Sequence, residues 1–182
     1  MRKSKAEAAE TRTAIVDAAA DHIRTTGIAG ASLAEIMAAA GLTHGGFYKH
    51  FRNKNQLVQE ALAVAGEETL AAVAGWTAKG GPKVAADFYL STQHRDGKSP
   101  LCLFAALGSE LARADRDVKR TATGMLEQFF EALAQDPGGG RDRADAIADF
   151  ATMVGALTLA RLVADKALSA EILESAKKRL AG

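Results

Sequence analysis

The chain has 182 residues, 48% of them hydrophobic and 25% charged, a globular balance that excludes a disordered or fibrous polymer. With 40 alanines, 3 prolines and 5% aromatic residues it favours helix, because Ala is the best helix former and Pro the worst. A net charge of +1 names no polyanionic partner for the chain as a whole, and 1 cysteine excludes an internal disulfide framework or a cysteine zinc cluster.

The first residues, Met1-Arg2-Lys3-Ser4-Lys5, lack the apolar core of a signal peptide. The apolar or small run Phe150–Ala160 is too short to cross a bilayer before Arg161. The expectation is a cytoplasmic chain with no membrane partner. Its fold class is all-α, with about nine helices, since no stretch alternates with a period of two.

Taken in chain order, Ile15, Ala19 and Ile23 mark an amphipathic helix from about Ala6 to Thr26, stopped by Gly27. Ser32-Leu33-Ala34-Glu35 has the spacing of a capping box and opens a short helix that ends at Gly41. Thr43 can cap a second short helix to about Phe51, and Asn53, with Gln56 behind it, a long one to about Ala78. Lys79-Gly80-Gly81-Pro82 breaks the pattern, and a helix to about Thr92 follows. His94–Pro100 then reads as a polar loop, with Ser99-Pro100 capping a helix to about Arg113. Helices are expected over about 116–135, 141–166 and 170–180, with the Asp136–Gly140 loop after the first and Ser169 as cap of the last.

The segment that carries chemistry is Leu33–Lys54, LAEIMAAAGLTHGGFYKHFRNK. Two short helices joined through a glycine, with Leu33, Ile36, Ala40, Leu42, Phe47 and Phe51 fixing their crossing, form a helix-turn-helix pattern. Gly45 and Gly46 are odd choices for the second helix, each costing up to about 1 kcal/mol relative to Ala. Around them stand Thr43, His44, Tyr48, Lys49 and His50, all able to hydrogen-bond to phosphates or base edges. Such a helix reads as a surface for close approach to the major groove of DNA.

From about Arg12 to Val58 the sequence resembles the DNA-binding signature of the TetR family of transcriptional regulators. The resemblance implies a homodimeric, ligand-controlled repressor with no enzymatic activity, no cofactor and no metal, which binds a palindromic double-stranded operator. It implies a DNA-binding domain over residues 1–54, and a ligand-binding and dimerisation domain over 55–182. By the same resemblance Thr43 caps the recognition helix and touches phosphate, while His44, Gly45 and Lys49 face bases or nearby phosphates. Tyr48, His50 and Lys54 hold phosphates, Ser32 meets the DNA backbone, and Phe47 and Phe51 belong to the core. Two positions depart from the family pattern. Met37 replaces a small alanine at the helix crossing, and Gly46, counted among the DNA-facing residues, replaces a Thr or Ser. His22 stands at a usually apolar core position and reads as a satisfied, half-buried histidine.

The second half has no catalytic motif. Trp76, Phe88, Tyr89, Cys102, Phe104, Met125 and Phe129 are the candidate contacts of a small inducer, largely apolar or electrophilic; as ordinary core they need no ligand. Cys102 lies in SPLCLFAALGSEL, which resembles a Gly-Cys-x-x-x-x-Leu-x-x-Glu stretch at the start of the sixth helix in a branch of the family where, in some members, a cysteine senses electrophiles or oxidants. The competing reading is a small buried hydrophobe. The helix over 144–166 carries apolar residues on most of its circumference, with Ala151, Gly155 and Ala156 permitting close approach, which suits a homodimer through the last two helices. A helical small-molecule-binding or scaffold protein without an operator is the alternative.

Charge is unevenly shared: residues 1–55 hold 8 basic against 5 acidic side chains, and the remaining 127 hold 15 against 17. Near-neutrality thus averages a basic head and an acidic body.

Overall fold

The computed structural model describes residues 5–97, 102–135 and 142–181, and every regular element among them is helical. Eight α-helices run α1 Lys5–Gly30, α2 Leu33–Ala39, α3 Lys54–Tyr89, α4 Thr92–Asp96, α5 Leu103–Arg113, α6 Arg116–Ala134, α7 Arg143–Leu162 and α8 Lys166–Ala181, with a 3-10 helix, His44–Lys49, between α2 and α3. Among the described residues no helix is long and apolar enough to cross a membrane. The expected Ser99-Pro100 cap and Asp136–Gly140 loop, like Met1–Ser4, lie outside the described residues.

Glycine sets the two sharpest turns of the first third. Gly27 adopts φ +79° and bends α1 before its last turn, and Gly41 adopts φ +71° immediately after α2. Both values lie where an L side chain is strained, so the two expected stops are backbone requirements. Asn53 caps α3 as expected, its side chain accepting from the Gln56 amide at 2.9 Å, while Gln56 Oε1 accepts from the Arg52 amide at 2.9 Å. At the expected break the helical backbone of α3 is interrupted at Gly80 and Gly81 (φ +72°), and the helix resumes from Pro82 to end at Tyr89, short of Thr92.

Three local expectations fail. Ser32 stands at the N-cap of α2 without a side-chain cap bond, so the box with Glu35 does not form. Residues 94–96 of the expected polar loop belong to the helix α4, Thr92–Asp96, and its His94 is buried. Ser169 lies inside α8, where the Asp165 carboxylate accepts from the amides of Ala167 (2.7 Å) and Leu168 (3.1 Å) and does the capping. A carboxylate there competes well with a hydroxyl, because its charge also suits the positive end of the helix dipole.

Two apolar clusters fill the interior. The upper one joins Ile15, Ala19 and Ile23 of α1, Ile36 and Met37 of α2, Phe47 and Phe51 to Leu57, Val58, Ala61 and Leu62 of α3, and continues through Leu103, Leu107 and Leu111 of α5 to Met125 of α6. The lower one gathers Val73, Tyr89, Leu90, Cys102, Phe129, Phe150, Met153, Leu157 and Leu173. Phe150 is its centre, with ring centroids of Phe129, Phe104, Phe130 and Tyr89 at 5.1, 5.8, 6.0 and 6.4 Å. The longest helix, α3, serves both clusters and packs most extensively on α6 and α1. Contacts of the upper cluster therefore pass without a break from the helix-turn-helix segment into the second half.

Polar contacts between distant residues fix α1 against α3. Arg12 makes a bidentate ion pair with Glu60, one arm at 2.6 Å, and lies over the Phe51 ring at 4.5 Å. Hydrogen bonding from Arg12, ahead of the opposing effect of burial, holds the Glu60 carboxyl below its ordinary range. A lowered carboxyl stabilises the fold above its ordinary pKa, and that stabilisation is lost as pH falls through the lowered value. Glu60→Gln should accordingly lower the melting temperature at neutral pH, with the difference from wild type shrinking to nothing on acidification, as thermal melts across pH would record.

Candidate DNA-binding surface

The 3-10 helix His44–Lys49 is built around one inward side chain. Phe47 is fully buried, stacked on Phe51 at 5.5 Å and edge-on to Tyr48 at 5.1 Å. With Phe47 pinned, the rest of the turn faces outward: Thr43, His44, Gly45, Tyr48 and Lys49 are exposed, Tyr48 at 69%. An exposed tyrosine offers an apolar ring and a polar hydroxyl together, a combination suited to an interface. Thr43 occupies the N-cap position but makes no side-chain cap bond, leaving its hydroxyl for another partner.

Met37 and Gly46, the two departures from the family pattern, are neighbours. Met37 is fully buried, and its Cε is the nearest atom, at 3.6 Å, to where a Cβ on Gly46 would stand. The larger side chain on α2 thus faces the smallest residue across the crossing. At Gly45 a Cβ would meet nothing within 4 Å, and neither glycine has positive φ. Gly45→Ala should therefore stabilise the fold, by about 0.4–1 kcal/mol. If the glycine serves close approach to DNA, the same variant loses operator affinity; melting and DNA titration of one sample check both.

The other expected DNA-facing residues are placed differently. Ser32 and His50 are half-buried, and Gly46 is partly covered. Lys54 donates from Nζ to the Ile28 carbonyl at 2.9 Å, so it holds the bent end of α1. His22 is half-buried as expected, yet its Nδ1 is buried without a hydrogen-bond partner among the described residues.

Of the candidate inducer contacts, Tyr89, Cys102, Phe104 and Phe129 meet in the lower cluster. Trp76 and Phe88 stack on each other at 5.3 Å, with Phe88 52% exposed, and Met125 belongs to the upper cluster instead, its thioether against Gly66. Cys102, at the N-cap of α5, is fully buried. Burial pushes its thiol up, against the Tyr89 hydroxyl and the Ala105 and Phe104 amides, which favour the thiolate. The Tyr89 hydroxyl, pushed well up by burial, has no well-formed hydrogen bond of its own among the described residues.

Several contacts escaped the sequence because their partners are far apart along the chain. The Glu110 carboxylate accepts from the Ala29 amide at 2.9 Å and lies against Gly27, clasping the bent end of α1 from α5. Arg24 pairs with Asp21 at 2.8 Å and with Glu68. Arg161 donates from Nε to the Arg95 carbonyl at 3.1 Å and from Nη2 to the His94 carbonyl at 2.7 Å. Within α4 and its flanks, His94 Nδ1 donates to the Tyr89 carbonyl at 2.6 Å, and burial pushes the imidazole pKa down. Among the described residues no group of three or more His, Cys, Asp and Glu could hold a metal ion.

Comparison with known proteins agrees with this geometry. The family described as "Bacterial regulatory proteins, tetR family" matches residues 15–61, which contain α2, the 3-10 helix and the start of α3. The HTH-type transcriptional regulator TtgR of Pseudomonas putida is 45% identical over 62 residues, 34% of this chain and 30% of that protein. AcrR of Shigella flexneri is 46% identical over 59 residues, 32% of this chain and 27% of that protein. The matched stretch thus spans under a third of these relatives' length. Over nearly the whole chain the fold is shared with a TetR transcriptional regulator from Chloroflexus aurantiacus J-10-FL (TM-score 0.74, 27% identity, covering 97% of this chain and 94% of that one). The reduced form of E. coli NemR has the same fold (TM-score 0.77, 19% identity, 94% and 95% covered). The helix-turn-helix head, residues 15–61, thus matches the tetR family of bacterial regulatory proteins in sequence, and the whole chain shares its fold with a TetR transcriptional regulator.

Proposed function

We propose that this protein is a cytoplasmic, one-component transcriptional repressor: a homodimer that binds a palindromic operator and is released by a small molecule. The observation that carries the reading is the exposed row Thr43, His44, Gly45, Tyr48 and Lys49 around a buried Phe47. A short helix pinned from behind by one aromatic side chain, with hydrogen-bonding groups and a glycine on its open side, suits insertion into a major groove. Residues 1–54 form the reading head and 55–182 the regulatory part, and the chain does no chemistry of its own.

Dimerisation is assigned to the outer face of α7 and α8. Ile147 (41%), Leu159 (51%), Leu162 (77%) and Leu168 (44%) are large apolar side chains left in solvent. On α7 the exposed Ala151 and Gly155 continue the stripe from Ile147 to Leu159 and let a second helix approach closely. An α7 that buries Phe150, Met153 and Leu157 inward and keeps this stripe outward has the two faces a four-helix interface needs. In the dimer two recognition segments about 34–36 Å apart would meet successive half-sites. A ligand favouring a different spacing lowers DNA affinity by shifting that population. Contacts to the apolar part of such a ligand are assigned to Tyr89, Cys102, Phe104 and Phe129, which already share one core.

The test is a titration of the protein against its own upstream DNA at two salt concentrations. Saturable, sequence-preferring binding that weakens with salt is expected. Binding of equal strength to unrelated DNA, or none, would favour a helical binding or scaffold protein without an operator.

A further inference from the structure

We propose that the cleft where α1, α4, α5 and α7 meet is a binding site for a small organic carboxylate, its charged head held by Arg161. The cleft has a volume of about 460 Å³ and is walled by Arg24, Arg95, Arg161 and Glu110, with Ala105–Leu107 along one side. It is separate from the aromatic core around Phe150. A second cleft of about 460 Å³ shares Arg95 and Arg161 and is walled also by Asp96, Lys166 and Ser169.

Arg161 is the reason to expect an anion. Its guanidinium is half-buried and meets two backbone carbonyls, yet no carboxylate stands at ion-pair distance among the described residues. The nearest acid that influences it, Asp96, is engaged by both arms of Arg95 at 2.7 and 2.8 Å. Glu110, the one acid in the first cleft, is spent on the Ala29 amide. A half-buried positive charge without a counter-ion is costly, and a carboxylate placed against it gains a charge-assisted, planar hydrogen-bonding partner. The short apolar wall of Ala105, Ala106 and Leu107 suits the organic body of such a ligand better than bare inorganic phosphate.

The position also gives occupancy a consequence for the DNA-binding head, a step that rests on the regulatory reading above. Arg24 and Gly27 belong to α1, and Glu110 clasps the Ala29 amide beside them. An anion seated among the arginines repels the Glu110 carboxylate and loosens its hold on the bent end of α1.

Thermal melts of the full chain in rising benzoate or hexanoate, with chloride balancing ionic strength, test the site; inorganic phosphate forms a parallel series. The expected result is a saturable rise in melting temperature with a carboxylate, absent in Arg161→Gln and in Ala106→Glu. Ala106 is exposed, so its variant keeps the fold and only places a competing carboxylate at the cleft. A saturable rise with phosphate alone would overturn the carboxylate assignment. No saturable rise with any of the three anions, or a rise that survives both variants, would overturn the site. Because the melts need no DNA, failure of operator binding would sink the repressor reading and leave this result standing.

Discussion

Replacing Phe47 by Ala is expected to destabilise the protein by about 3–5 kcal/mol, the usual range for removing a fully buried aromatic side chain. For a chain of this length that corresponds to a melting temperature lower by roughly 6–20 °C. Phe47 has no exposed surface and stacks on Phe51, which in turn lies under Arg12. Its loss leaves a hole beneath the 3-10 helix and uncouples that turn from α1. The upper cluster is continuous from α1 to α6, so the damage should spread into α5 and α6 instead of melting the head alone. Calorimetry checks this. A single transition shifted by that amount is expected, whereas a loss below about 1 kcal/mol would mean that the turn is not held from behind by Phe47.

The joint change Tyr48→Ala, Lys49→Ala should do the opposite: leave stability within about 0.5 kcal/mol of wild type, since both side chains are exposed, and remove much of the operator affinity. A lysine on a phosphate contributes about one unit to the dependence of log affinity on log salt. A homodimer carries two copies, so the slope should fall by about two for Lys49→Ala alone. Tyr48 adds a hydroxyl and an aromatic edge. Its truncation should cost about 1–3 kcal/mol if it touches a base and act equally on all sequences if it touches a phosphate. Fluorescence anisotropy on labelled duplexes at several salt concentrations separates these outcomes. Unchanged affinity and slope in the double variant would place DNA elsewhere on the molecule.

The sequence disclosed what is decided within one helical turn. Gly27 bends α1, Gly41 follows the end of α2 and Asn53 caps α3 for reasons carried by their own backbone or side chain. Phe47 and Phe51 were legible as fixing the helix crossing, and the family resemblance implied their place in the core. Local reasoning failed where two neighbours compete for the same role. Asp165 takes the cap expected of Ser169, leaving that hydroxyl to donate to the Ala160 carbonyl at 2.6 Å. It failed again at α4, where the run from His94 to Gly97 looks polar. There His94 is buried because its ring meets the Tyr89 carbonyl and the edge of the Tyr89 ring, neither of which hydropathy can see.

Partnerships across the chain were not legible at all. Lys54 has the composition of a phosphate contact, but it is bound to a carbonyl 26 residues earlier. Glu110 reaches 81 residues back to the Ala29 amide. The arginines that wall the cleft come from three separate helices or their flanks, so no motif in the sequence joins them. The aromatic residues, conspicuous by their rarity, drew the expectation of a ligand site toward the lower cluster. In the structure Tyr89, Phe104 and Phe129 pack on Phe150, Trp76 and Phe88 stack on each other, and one cleft opens instead among the charged residues of α1, α4, α5 and α7.

Hydroxyl-radical footprinting of the protein on its own upstream DNA tests the central claim most directly. A homodimer reading with the row Thr43, His44, Gly45, Tyr48 and Lys49 should protect two symmetry-related patches on one face of the duplex, about 10–10.5 base pairs apart, centre to centre. Both patches should vanish with Tyr48→Ala, Lys49→Ala. A single patch, diffuse protection without sequence preference, or two patches that persist in the double variant would contradict the account.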